Sequence, residues 1–172
     1  MSKYWNTNTK NLEPYVPGEQ PKDKSYIKLN TNENPYPPSP RVLEAIKNAA
    51  NENLRLYPDP GGEELRQTIA GYYNLAKDHV FVGNGSDEIL AFSFAAFFEP
   101  GRHVLFPDIT YSFYPVYADL FQLDYQLIPL GAEFTIPTEE FFLENGGIII
   151  PNPHAPTGKY LPISQLEPII DF

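Results

Sequence analysis

The stretch "HVFVGNGSDEILAFSFAAFF", His79 to Phe98, changes character twice in twenty residues. It opens apolar and β-branched, passes through Gly83-Asn84-Gly85, and continues as an apolar run at helical spacing. This is the grammar of a strand, a glycine turn and a helix. Such a turn sets backbone N–H groups and the positive end of a helix at the carboxyl end of a strand, a combination that suits an anion and above all a phosphate. Ser86 adds a hydroxyl, and Asp87 and Glu88 complement the helix dipole. Pattern alone leaves a plain capped turn as open as phosphate binding. The third glycine of the dinucleotide fingerprint is missing, because Ile89 and Leu90 continue the helix.

Working outward, short apolar segments alternate with helical ones. His79–Val82, His103–Phe106, Tyr125–Pro129 and Gly147–Ile150 read as strands, with helices over Ser86–Phe98, Ser112–Phe121 and Thr138–Leu143 between them. Crossover helices imply a mostly parallel sheet buried on both faces, and the continuously apolar Val104-Leu105-Phe106 and Ile148-Ile149-Ile150 fit central strands. The fold class is α/β. Upstream, Ser39-Pro40 supplies an N-cap and a first-turn proline for a helix carrying Val42, Leu43, Ile46 and Ala49. A second helix spans Glu63–Tyr73.

Residues 1–38 are polar and proline-punctuated and read as an extended arm with no core of its own, so residues 39–172 carry the α/β domain. At the other end, Ser164 and Glu167 have the spacing of a capping box, yet no return strand follows. The sheet is expected to be incomplete, with the chain stopping in mid-domain.

Composition narrows the function classes. The chain has 172 residues, 42% of them hydrophobic, which favours one domain with a real core over disorder. Its formal charge of −10 argues against nucleic acid and anionic membrane surfaces as partners. Cysteine is absent, which removes disulfides and thiol nucleophiles. His79, His103 and His154 stand far apart without a ligand motif, so no metal is expected. "SKYWNTNTK" lacks the apolar run of a secretory signal, and Ile89–Phe98 is short of the roughly 20 residues a membrane helix needs. The expected location is the cytoplasm.

Six segments then occur in order: "LEPYVPGE", "LNTNENPYPPSP", "RLYPDPGGEELR", "VGNGSDEIL", "FPDITYSFY" and "PNPHAPTG". Together they resemble the N-terminal half of the fold-type I aminotransferases, and among these the histidinol-phosphate branch. The resemblance covers nearly the whole chain from Leu12 onward. It implies a partial three-layer α/β/α domain, pyridoxal 5′-phosphate as cofactor, a phosphorylated amino substrate with 2-oxoglutarate as the second reactant, and a homodimer.

The resemblance also assigns roles. Gly85, Ser86 and Asp87 would contact the cofactor phosphate, and Tyr111 would stack on the cofactor ring. Tyr57 would reach the partner subunit's cofactor phosphate, and Tyr15 would lie near the substrate phosphate. The chain departs from the pattern at Ala155, where the family carries an asparagine that bonds the ring hydroxyl. Asn152 and His154 are near that position without matching it, and His154, beside two prolines, is read as solvated. The family's Schiff-base lysine, ring-nitrogen carboxylate and substrate-gripping arginine all follow the Pro-Thr-Gly loop. Only fourteen residues follow Gly158 here, with no arginine, and Lys159 does not match the Schiff-base position and reads as a surface charge.

The expectation is therefore a phosphate and ring platform without the catalytic lysine. A threonine-phosphate decarboxylase, whose family shares many of these motifs, and an aromatic aminotransferase of the same superfamily are the alternatives. A non-catalytic phosphate-binding module is the alternative of another class, and a dinucleotide-binding dehydrogenase is a weaker one.

Overall fold

The computed structural model describes residues 2–12 and 18–172, so Tyr15 lies outside the described residues. The chain divides into two compact units, residues 1–14 with 83–172 and residues 15–82.

The larger unit is built on a three-stranded parallel sheet in the order β2-β1-β3. β1 (Val104–Pro107) pairs with β2 (Tyr125–Ile128) in the register Val104↔Tyr125 to Pro107↔Ile128. On its other side β1 meets β3 (Gly147–Ile148), with Leu105 opposite Ile148. All four residues of β1 are buried. Because side chains alternate along a strand, β1 serves two cores at once. Val104 and Phe106 pack with Phe94, Tyr114, Tyr117, Ala118 and Leu123 on one face. Leu105 packs with Ile128, Ile136, Phe141 and Leu161 on the other. The result is helix, sheet, helix in three layers.

The first face is covered by α4 (Gly85–Phe97) and α5 (Phe113–Phe121). α5 is the crossover between β1 and β2 and ends on Gln122 in the left-handed conformation. The second face is covered by a 3₁₀ turn over Thr138–Phe141 and by α6 (Ile163–Ile170). In the N-terminal arm, α1 (Thr7–Asn11) is a short helical element whose Asn8 side chain donates to the Leu120 carbonyl of α5 at 3.0 Å.

The smaller unit contains α2 (Pro40–Ala49), capped by the Ser39 side chain on the Val42 N–H, and α3 (Glu63–Tyr73). Asp59 caps the entry to α3, its carboxylate accepting from Glu63 N–H at 2.6 Å and Gly61 N–H at 3.0 Å. Those two bonds, Glu63 first, hold the Asp59 carboxyl below its ordinary range.

Three local expectations are corrected. His79–Val82 is not a strand: Lys77–His79 is a 3₁₀ turn, and the Val80 carbonyl is taken by the Arg66 guanidinium at 2.8 Å rather than by a neighbouring strand. The helix expected over Thr138–Leu143 is the 3₁₀ turn, which follows Pro137 and drives Phe141 fully into the second core. Ser164 is not an N-cap, because α6 begins at Ile163 and is capped by Pro162 without a side-chain bond. Among the described residues, no helix is long and apolar enough to cross a membrane, and no cluster of three or more His, Cys, Asp or Glu is placed to hold a metal.

Candidate functional site

The helical turn read from the sequence is present, and α4 begins at Gly85. Gly85 has φ +78°, a conformation that favours glycine, with open space where a Cβ would stand. Gly83 is required for a different reason. A Cβ there would meet Glu88 Oε2 and Ile89 Cδ1, each at 2.8 Å. Its absence lets Glu88, four residues on, fold back so that its carboxylate accepts the Asn84 N–H at 2.6 Å. The Gly85 N–H bonds the Gly83 carbonyl at 3.2 Å. The next two amides, of Ser86 and Asp87, belong to the first turn and have no helical carbonyl to bond. Both residues are exposed.

The acidic residues beside this turn are both engaged. Glu88 serves Asn84, and Asp87 serves Tyr111, whose hydroxyl donates to Asp87 Oδ1 at 2.7 Å. Tyr111 lies in the loop that leaves the carboxyl end of β1, where open α/β sheets place ligands. Its ring is half-buried, stacks on Phe113 at 5.7 Å between centroids, and meets Tyr114 edge-on. Asp87 thus joins a first-turn amide cradle to an aromatic platform.

A residue that sequence reading missed stands behind them. Tyr117 of α5, buried in the first core, donates its hydroxyl to the Asp87 carbonyl at 3.0 Å. Its spacing from Tyr114 marks it as inward-facing, but nothing in the sequence tells that its hydroxyl reaches α4. Desolvation first, and then the charge and bonding of Asp87, raise the Tyr117 pKa, so the hydroxyl stays a donor at neutral pH.

The loop after β3 holds the other correction. His154 is not solvated: it is 1% exposed, and its Nδ1 lies 2.8 Å from the Thr157 hydroxyl. The tight turn explains the burial, since His154 N–H bonds the Lys159 carbonyl and Gly158 N–H bonds the His154 carbonyl, both at 2.6 Å. Burial lowers the His154 pKa. Asn152 is fully used as well: its carboxamide donates to the Leu161 carbonyl at 2.9 Å and accepts the Leu161 N–H at 3.0 Å. Ala155 and Lys159 are exposed. Tyr57, in the other unit, is fully exposed.

Comparison with known proteins gives the family. Residues 24–172 match the family described as aminotransferase class I and II. The chain belongs to this family. It is 63% identical over 171 residues to the histidinol-phosphate aminotransferase of Clostridium botulinum (strain 657 / Type Ba4), covering 99% of this chain and 48% of that one. It is 60% identical over 172 residues to the histidinol-phosphate aminotransferase of Clostridium acetobutylicum, covering 100% of this chain and 49% of that one. The chain spans about half the length of the curated relatives it matches.

Among solved structures, the histidinol-phosphate aminotransferase from Sinorhizobium meliloti, in complex with pyridoxal-5′-phosphate, superposes with a TM-score of 0.70 over 78% of this chain and 37% of that one, at 22% identity. That likeness bears on the fold. As an aminotransferase-family fold, the three-layer arrangement is the one expected from the sequence.

Proposed function

We propose that this chain supplies the phosphate cradle and ring platform of a histidinol-phosphate aminotransferase that uses pyridoxal 5′-phosphate. The observation that carries the reading is the 2.7 Å bond from Tyr111 to Asp87, which ties an aromatic ring to a helix N-terminus with two uncommitted amides. A flat aromatic ligand bearing a phosphate fits such a pair of features. The identity of about 60% to named histidinol-phosphate aminotransferases supports the substrate class.

In this reading the Ser86 and Asp87 amides and the Ser86 hydroxyl bind the phosphate, with the conformation of Gly85 opening the turn. The two nearby carboxylates would repel an anion, and their hydrogen bonds from the Asn84 N–H and the Tyr111 hydroxyl offset part of that charge. Tyr111 carries the ring. The bound cofactor would act as the electron sink for amino-group transfer. Tyr57 extends to the cofactor phosphate of a partner subunit, Tyr15 contacts the substrate phosphate, and the working protein is a cytoplasmic homodimer. The substrate is a small phosphorylated amine, with 2-oxoglutarate as the second reactant. Neither Lys159 nor any other residue here is assigned the Schiff-base role.

The test is titration of the chain with pyridoxal 5′-phosphate, followed by cofactor absorbance and by competition with inorganic phosphate. Saturable binding that inorganic phosphate displaces is the expected result. Binding with neither property overturns the reading.

A further inference from the structure

Asp87 is gripped at two points by residues distant in sequence. Its carboxylate accepts from Tyr111, 24 residues on, at 2.7 Å, and its carbonyl accepts from Tyr117, 30 residues on, at 3.0 Å. The second grip comes from inside the core. The Tyr117 ring is 6% exposed and lies against Phe94 at 5.4 Å and Phe113 at 5.7 Å between centroids. Beside those rings the Asp87 carbonyl accepts its hydroxyl. A tyrosine placed this way has a strong reason to hold its bond, because a hydroxyl buried without a partner is costly.

The Asp87 carbonyl sits in the first turn of α4, immediately beside the uncommitted amides. That carbonyl shares its peptide plane with the Glu88 N–H, one residue past the two amides, so the Tyr117 bond anchors the turn from which they project. It also sets where the Asp87 carboxylate stands, and so the tilt of the Tyr111 ring bonded to it.

We propose that Tyr117 is a positioning residue for the anion-binding turn: its hydroxyl, reaching from α5, aims the Ser86 and Asp87 amides at a ligand phosphate while Tyr111 holds the same residue from the ligand side. The inference rests on the function proposed above and adds to it a residue that itself touches no ligand.

The test compares the chain with its Tyr117→Phe variant, which keeps the ring in the core and removes the hydroxyl alone. Pyridoxal 5′-phosphate and inorganic phosphate are titrated into both, and amide hydrogen exchange is followed at Ser86 and Asp87. Both ligands are expected to bind the variant roughly five-fold more weakly, the effect of one typical hydrogen bond. Exchange at the two amides should be faster, and the induced circular dichroism of the bound cofactor should change. A merely structural hydroxyl would move none of these once the variant is folded.

Equal affinities with unchanged exchange and dichroism overturn the inference and leave the proposed function standing. A parent chain that binds neither ligand overturns both. Should the variant fail to fold, the parent chain decides: its Tyr117 ring resonances shift on saturation with inorganic phosphate, or the inference fails.

Discussion

The hydroxyl of Tyr111 lies 2.7 Å from the Asp87 carboxylate, so a ring from the loop after β1 is bonded to the first turn of α4. This bond joins the two halves of the proposed site, the turn assigned to a phosphate and the ring assigned to a flat ligand.

Removing that link should loosen ligand binding without unfolding the chain. Tyr111→Phe is expected to weaken pyridoxal 5′-phosphate binding roughly five-fold, one hydrogen bond's worth. Tyr111→Ala, which also removes the stacking face, should weaken it further. Absorbance titration of the two variants checks the order, and equal affinities in all three proteins would contradict it.

Glu88 separates charge from shape at the same turn. Glu88→Gln keeps an oxygen for the Asn84 N–H but removes a negative charge beside the amide cradle. Inorganic phosphate should then bind more tightly, by roughly two-fold at low salt, with the gain shrinking as salt screens it. Glu88→Ala instead loses the fold-back cap and should cost about 1 kcal/mol in urea denaturation.

His154 gives a pH dependence whose sign follows from its burial. The ring is desolvated, so its folded pKa lies below the ordinary value of 6.5. Below that value the unfolded chain binds the proton more readily than the folded one. The stability due to the neutral ring is therefore fully present above pH 6.5 and is lost as pH falls through the folded pKa. Denaturation measured from pH 7 downward should show a steeper decline for the parent chain than for His154→Gln. Parallel curves would place the ring in water.

Asn152 is expected to matter for the loop and not for ligand chemistry. Both ends of its carboxamide are bonded to the Leu161 backbone. Asn152→Ala should cost about 1 kcal/mol or somewhat more in denaturation, with cofactor affinity unchanged. A selective loss of affinity would assign it to the site instead.

Phe94 tests the first core. It is fully buried, and its ring meets Phe98, Tyr114 and Tyr117. Phe94→Ala should destabilise the chain by about 3–5 kcal/mol and loosen the Tyr117 support along with it. A loss below about 1 kcal/mol would mean that this face is not packed as described.

Local chemistry in the sequence was enough to determine much of this protein. Val104-Leu105-Phe106 announces a strand buried on both faces, and Gly85 before an apolar helical run announces the turn, because each depends on interactions within a few residues. Glu63–Tyr73 begins and ends where its pattern places it.

Tertiary structure decided the rest. His79–Val82 has the composition of a strand, but a strand exists only beside a neighbour, and Arg66 takes the Val80 carbonyl first. His154 has the flanking prolines of an exposed loop, and the closure of that loop through Thr157 and Lys159 buries it. The grip of Tyr111 and Tyr117 on Asp87 spans 24 and 30 residues. Such bonds are set by how α4, α5 and β1 pack, and hydroxyl reach across packed elements leaves no periodic trace in a sequence.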